Sequence, residues 1–292
     1  MTLTHRRAVC LMVLVTLLWS TAGVVTRQLE QARSFEVTFW RSFFTALSLL
    51  VMLPLMRGRT VFSQLAAGGW SLWLSGLCWS VMFTAFMLAM TLTSVANVLV
   101  TLAIGPFLTA VVARLLIGHR IAGHTWLAIA VAGIGIAWMH SQQFAIGPAG
   151  HWAGTLVALL VPIAGAINWT LVQRTQGQKV DLVPAVLVGA FLSSLATLPL
   201  ALPWSASSHD LAWLAFLGLI QLAIPCVLSV LCASALKAPE ISLLALLEVI
   251  FGILLAWVGA GEVPAASVLT GGALVIGALV ANEWVTLQQR TL

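Results

Sequence analysis

A chain of 292 residues that is 61% hydrophobic and 7% charged is excluded from the ordinary soluble domains. Residues 60–113 and 121–173 hold no Asp, Glu, Lys or Arg, and each run is long enough for two membrane spans of about 20 residues joined by a tight turn. The net charge of +5 comes without any Lys/Arg cluster beyond two neighbours, so it is a topology signal and not a nucleic-acid surface.

Backbone polar groups in lipid must be satisfied internally, which leaves helices or a closed barrel. The apolar runs are continuous rather than alternating, and that excludes a barrel. The expected fold is an all-α membrane protein. In chain order the spans are expected at about residues 8–25, 37–56, 70–91, 94–117, 124–139, 151–173, 181–202, 211–236, 239–259 and 264–287. The first follows Met1–Arg7 and carries Ser20-Thr21-Ala22, much like a signal peptide, but its apolar run is too long for one and a retained helix is expected. Pro54 marks the end of the second span, Gly147-Pro148 the end of the fifth, Pro203 the end of the seventh, and Gly259 and Gly261 the end of the ninth. Trp70, Trp126, Trp152 and Trp204 lie near segment ends, where an interfacial belt places them.

Of the 13 Lys and Arg, ten occupy the N-terminus, every second loop and the C-terminal tail. Arg27 and Arg33 lie in an odd loop, and Arg41 lies inside a span. Positive loops face the cytoplasm, so both termini are expected there. The charge-free stretch around Ile146–Gly150 divides the chain into residues 1–147 and 148–292, with five spans each. Five is odd, so halves that share a fold enter the membrane from opposite sides, as in secondary transporters whose site lies at the midplane between repeats. An offset of about 143 residues aligns Ala113 with Ala256 and Gly118 with Gly261.

The first span carries Trp19-Ser20-Thr21-Ala22-Gly23 and the second Phe39-Trp40-Arg41. The fourth carries Gly105-Pro106 and is followed by Gly118-His119, and the ninth carries Glu248-Val249 and is followed by Gly261-Glu262. In these features the chain resembles the drug/metabolite transporter superfamily, EamA type; in its overall character and its Trp-rich helices it looks, within that superfamily, most like the YddG aromatic amino-acid exporters. The resemblance implies ten helices in two inverted five-helix repeats and an export function. It implies a Glu-Pro step in each repeat. Here the first step keeps Pro106 and has Gly105 in place of Glu, and the second keeps Glu248 and has Val249 in place of Pro.

An ionisable group at membrane depth costs at least ~2.5 kcal/mol and is a functional candidate by default. Glu248 is a candidate proton-coupling site or ammonium anchor, or else a buried acid satisfied by neighbouring hydroxyls. Arg41 is expected either to snorkel to the outer interface or to serve as a carboxylate anchor or outer gate charge. No deeper Lys or Arg is available to clamp a phosphate, which counts against phosphorylated substrates. Trp19, Trp79, Phe83 and Trp169 are midplane aromatics able to stack on a flat apolar substrate or on a cationic amine; their alternative is helix packing or lipid contact. Thr101, Asn168 and Gln221 are polar candidates for capping substrate groups, and equally for interhelical hydrogen bonds. Pro106, Pro162 and Pro225 fall within spans as candidate hinges or static kinks.

The four Cys all sit in apolar segments without a C-x-x-C, and the six His lie at loops or ends, so neither a metal site nor a cofactor is expected. No P-loop, G-x-S-x-G or H-E-x-x-H occurs, and no enzymatic activity is expected. The expected function is a secondary transporter of the bacterial inner membrane. By the family resemblance it is expected to export small neutral, largely apolar metabolites, foremost aromatic amino acids with Met or Thr beside them, by alternating access. Its expected partners are the small-molecule substrate and lipid, and it is expected to work as a monomer. A broad exporter of aromatic cations and a non-transporting scaffold or receptor subunit are the competing readings.

Overall fold

The computed structural model describes residues 3–58, 60–117, 151–175, 181–236, 241 and 244–291, together with part of 123–138. Gly118, His119, Arg120, Lys179, Lys237 and the loop at 146–150 lie outside the described residues. Among those described, every regular element is helical. In chain order they are α1 (His5–Thr26), α2 (Ser34–Arg57), the short α3 (Thr60–Ala67), α4 (Trp70–Leu92), α5 (Val95–Leu102), α6 (Gly105–Ile117), α7 (His151–Thr175) and α8 (Pro184–Ala201). There follow α9 (Ser208–Phe216), a π-helical segment (Leu217–Ala223), α10 (Ile224–Cys232), α11 (Leu247–Ala260) and α12 (Ala266–Thr291).

Seven helical stretches among the described residues are long and apolar enough to cross a membrane, which makes this a multi-pass membrane protein. Three shorter apolar helices, Trp126–Gly135, Leu247–Ala260 and Ala266–Asn282, fall where the fifth, ninth and tenth spans are expected.

Three spans are not simple rods. The fourth is interrupted by a turn at Ala103–Ile104 between α5 and α6. Pro106 explains the restart: it lacks an N–H and is tolerated only in the first turn of a new helix. The eighth span passes through the π segment into α10, with Pro225 at its start. Pro225 cannot donate to the Gln221 carbonyl one α-turn before it, and the ladder shifts by one residue into π form. In the ninth, α11 begins only after a turn at Leu246 and places Glu248 in its first turn. By contrast α7 runs unbroken through Pro162.

Helix α4 packs along α7 and α8, α2 along α8, α1 along α11, and α6 along α7. Small residues let the backbones close in. A Cβ at Gly76 would lie 2.5 Å from Val188, and one at Gly189 would lie 2.3 Å from the Trp79 Cβ, so only glycine permits the α4–α8 crossing. Buried hydroxyls join the same helices: Ser42 Oγ and Thr84 Oγ1 lie 2.9 and 2.8 Å from Ser193 Oγ. The core falls into two clusters. One holds Met12, Leu49, Trp79, Phe83 and Cys226; the other holds Phe86, Leu99, Leu217 and Val249.

Candidate functional site

A cavity of about 150 Å³ opens where the two core clusters meet. That is roughly ten times the ~10–15 Å³ one water requires, so it is room for a small molecule. Trp79, Phe83 and Cys226 reach it from one cluster, and Phe86, Leu99 and Val249 from the other.

Helix α4 supplies the aromatic wall. Trp79 and Phe83, one turn apart, share a face, and their rings lie 5.4 Å apart. From α7, Trp169 meets Trp79 edge to face at 5.8 Å and 84°. The Trp79 ring is buried, yet its Nε1 has no hydrogen-bond partner among the described residues. Trp19 of α1 and Cys226 of α10 line the same cavity. Gln221 in the π segment donates from Nε2 to the Trp19 carbonyl at 3.3 Å and leaves its Oε1 without a partner.

Two charges face this apolar space. Arg41 is 2% exposed, so the snorkelling expectation is corrected: its guanidinium turns into the bundle. Its position seven residues into α2 faces α4, where it meets a thioether and a ring rather than the interface. Nη1 lies 3.1 Å from the Met87 sulfur, and Cζ lies 5.5 Å from the centre of the Phe86 ring. Nε has no partner. Glu248 lines the cavity from the first turn of α11, where the helix N-terminus favours a negative charge. It interacts electrostatically with Arg41 and makes no ion pair or hydrogen bond among the described residues.

The structure thus brings Trp19, Trp79, Phe83, Trp169 and Gln221 together around one space, with Arg41 and Glu248 beside them. Pro106 and Pro162 also line it, where α6 approaches α7. Thr101, Asn168 and Pro225 do not. Thr101 is buried and donates to the Asn97 carbonyl at 2.8 Å. Asn168 Oδ1 accepts from Ser75 Oγ at 2.7 Å and ties α7 to α4. Pro225 sets the start of α10. The second span enters the lining through Arg41, beside residues of the first, third, fourth, sixth, eighth and ninth.

Residues 6–141 match the EamA-like transporter family. The EamA-like stretch is just under half of the chain and contains the α4 wall, Arg41 and the broken fourth span. In fold the whole chain is similar to a protein solved by crystallography, with a TM-score of 0.69 and 17% identity over 97% of this chain and 98% of that one. No curated protein sequence matches.

Two further carboxylates, overlooked in the sequence, organise the loops at one end of the bundle. Asp210, fully buried, accepts from the backbone N–H groups of Glu30, Gln31 and Ala32 at 2.8–3.0 Å. Glu36, also fully buried, accepts from Ser205 and Ala206 at 2.8 Å. Each acid stands in the first turn of its helix and holds the loop leading into the other helix. The signal for Asp210 was present: Ser207 and Asp210 form a capping box. At the same end Arg27 pairs with Glu262 at 2.7 Å and donates to the carbonyls of Met90 and Thr93.

Proposed function

We propose that this protein is a drug/metabolite-type secondary transporter that exports small, flat, largely apolar metabolites across the bacterial inner membrane, with aromatic amino acids as the leading substrate class and Met and Thr beside them. The observation that carries the reading is the aromatic cavity at the junction of the two core clusters, enclosed by helices from both halves of the chain. Concave, mostly apolar spaces with a few placed polar groups are where small molecules bind, and repeat interfaces at the midplane are where secondary transporters place them.

Two inverted five-helix repeats, residues 1–147 and 148–292, agree with the breaks in the helices. The turns at Ala103 and Leu246 stand at the same offset that aligns Gly118 with Gly261, and both open onto the cavity through their neighbours. Ten spans with both termini cytoplasmic follow from the alternating positive loops. With both halves in one chain, the monomer is self-sufficient, and the halves rock about the cavity in alternating access. A broad exporter of aromatic cations is the second reading, favoured by Glu248 beside Trp faces.

Efflux from reconstituted vesicles tests the assignment. Labelled aromatic amino acid leaves vesicles holding the wild-type protein, and Trp79→Ala and Trp169→Ala slow it by about tenfold or more, each removing a ring contact. Unchanged efflux in both variants contradicts the aromatic-cavity reading. Efflux of aromatic cations alone moves the assignment to the second reading.

A further inference from the structure

We infer that Arg41 and Glu248 are the specificity determinants of this cavity: together they read the two charges of a zwitterion, the guanidinium taking a carboxylate and the carboxylate taking an ammonium. The inference rests on the cavity being the substrate site.

Each charge is underserved where it stands. A guanidinium carries five N–H donors in a fixed fork suited to a carboxylate. Arg41 offers this fork to one thioether, a weak acceptor, and to the face of Phe86. Its Nε has no partner at 2% exposure. A buried cation without a contacting anion is destabilising. Glu248 has no donor among the described residues and relies on its place at a helix start. The two line the same cavity without making an ion pair. Next to them stand one open donor, Trp79 Nε1, and one open acceptor, Gln221 Oε1. The unfilled groups are therefore balanced: a cation and a donor, an anion and an acceptor, around an aromatic wall.

A ligand with an aromatic body and both charges satisfies all of them. An amine leaves Arg41 unmatched and adds a positive charge. An acid leaves Glu248 unmatched and adds a negative one. Removing one protein charge reverses the order: without Glu248 the remaining cation prefers the acid, and without Arg41 the remaining anion prefers the amine.

Equilibrium binding to the purified full-length protein in nanodiscs tests this with four ligands of one skeleton: L-phenylalanine, phenethylamine, 3-phenylpropionate and the uncharged 2-phenylethanol. The wild type binds the zwitterion about tenfold to a hundredfold more tightly than the amine or the acid, the range for one charged hydrogen bond. Glu248→Gln binds 3-phenylpropionate at least as tightly as phenylalanine, and Arg41→Gln binds phenethylamine at least as tightly. A merely structural role would weaken all four ligands together, and that result overturns the inference. So does a wild type that binds the amine, the acid or the alcohol as well as the zwitterion, a ranking that decides the matter even if a variant fails to fold. Binding of none of the four by the wild type overturns the substrate reading of the cavity itself, and the inference with it.

Discussion

Gly189 links helix packing to the aromatic wall, and replacing it with Ala moves both. The new Cβ would sit 2.3 Å from the Trp79 Cβ and 3.0 Å from the Gly76 carbonyl oxygen and the Ser80 backbone nitrogen. None of these atoms is the free end of a flexible side chain. The 2.3 Å gap must open to at least 3.4 Å for ordinary contact, so α4 and α8 part by roughly one ångström. Overpacking of this kind costs ~1–3 kcal/mol, and Ala recovers up to ~1 kcal/mol of helix propensity over Gly. With that recovery the expected net loss is up to ~2 kcal/mol. Because the displaced atom belongs to Trp79, the edge-to-face pair with Trp169 is disturbed too. Such a pair is worth ~0.5–1.5 kcal/mol, or about two- to tenfold in affinity. Thermal unfolding in detergent with and without phenylalanine reads both effects. Gly277 of α12, with nothing within 4 Å of its Cβ position, is the control: Gly277→Ala leaves the affinity unchanged and raises stability by up to ~1 kcal/mol. A Gly189→Ala protein as stable and as tight-binding as the wild type refutes the coupling of this crossing to the site.

Other outcomes follow from the same contacts. Gly165→Leu grows into the cavity from a position where a Cβ meets only Met82 at 3.5 Å and Trp169 at 4.0 Å; the protein melts as the wild type does while its ligand affinity falls about tenfold or more. Asp210→Ala strips the acceptor from three consecutive backbone N–H groups and lowers stability by ~2–4 kcal/mol, with faster proteolytic cleavage at residues 27–33. Asp210→Asn, which keeps one acceptor oxygen, loses less.

The helices were legible because length and apolarity alone specify a span, and the charge-free runs left no alternative. The broken fourth span was legible through Pro106, whose missing N–H forces a restart. The π segment was not, since the shift it records depends on how the ladder before Pro225 is satisfied by neighbours. For the site, aromatic residues one turn apart on α4 announced a shared face, and Trp169 and Trp19 reached the same space. The orientation of Arg41 was hidden: a sequence position seven residues inside a helix fits a snorkelling side chain as well as an inward one, and only the packing of α2 against α4 chooses. Thr101 and Asn168 show the converse, because a buried polar side chain in a helix finds a backbone carbonyl or a neighbouring hydroxyl as readily as a ligand. The reciprocal loop clasps of Glu36 and Asp210 required knowing which loops meet, which no local pattern carries.

The proposed function requires the cavity to carry a small aromatic solute from one side of the membrane to the other. Counterflow measures that step without a driving ion: vesicles holding the protein are loaded with unlabelled aromatic amino acid and diluted into a trace of the labelled one. The account predicts transient accumulation of label inside, abolished when the cavity is filled by Gly165→Leu. No counterflow of any amino acid or amphipathic cation with the folded wild-type protein would contradict it.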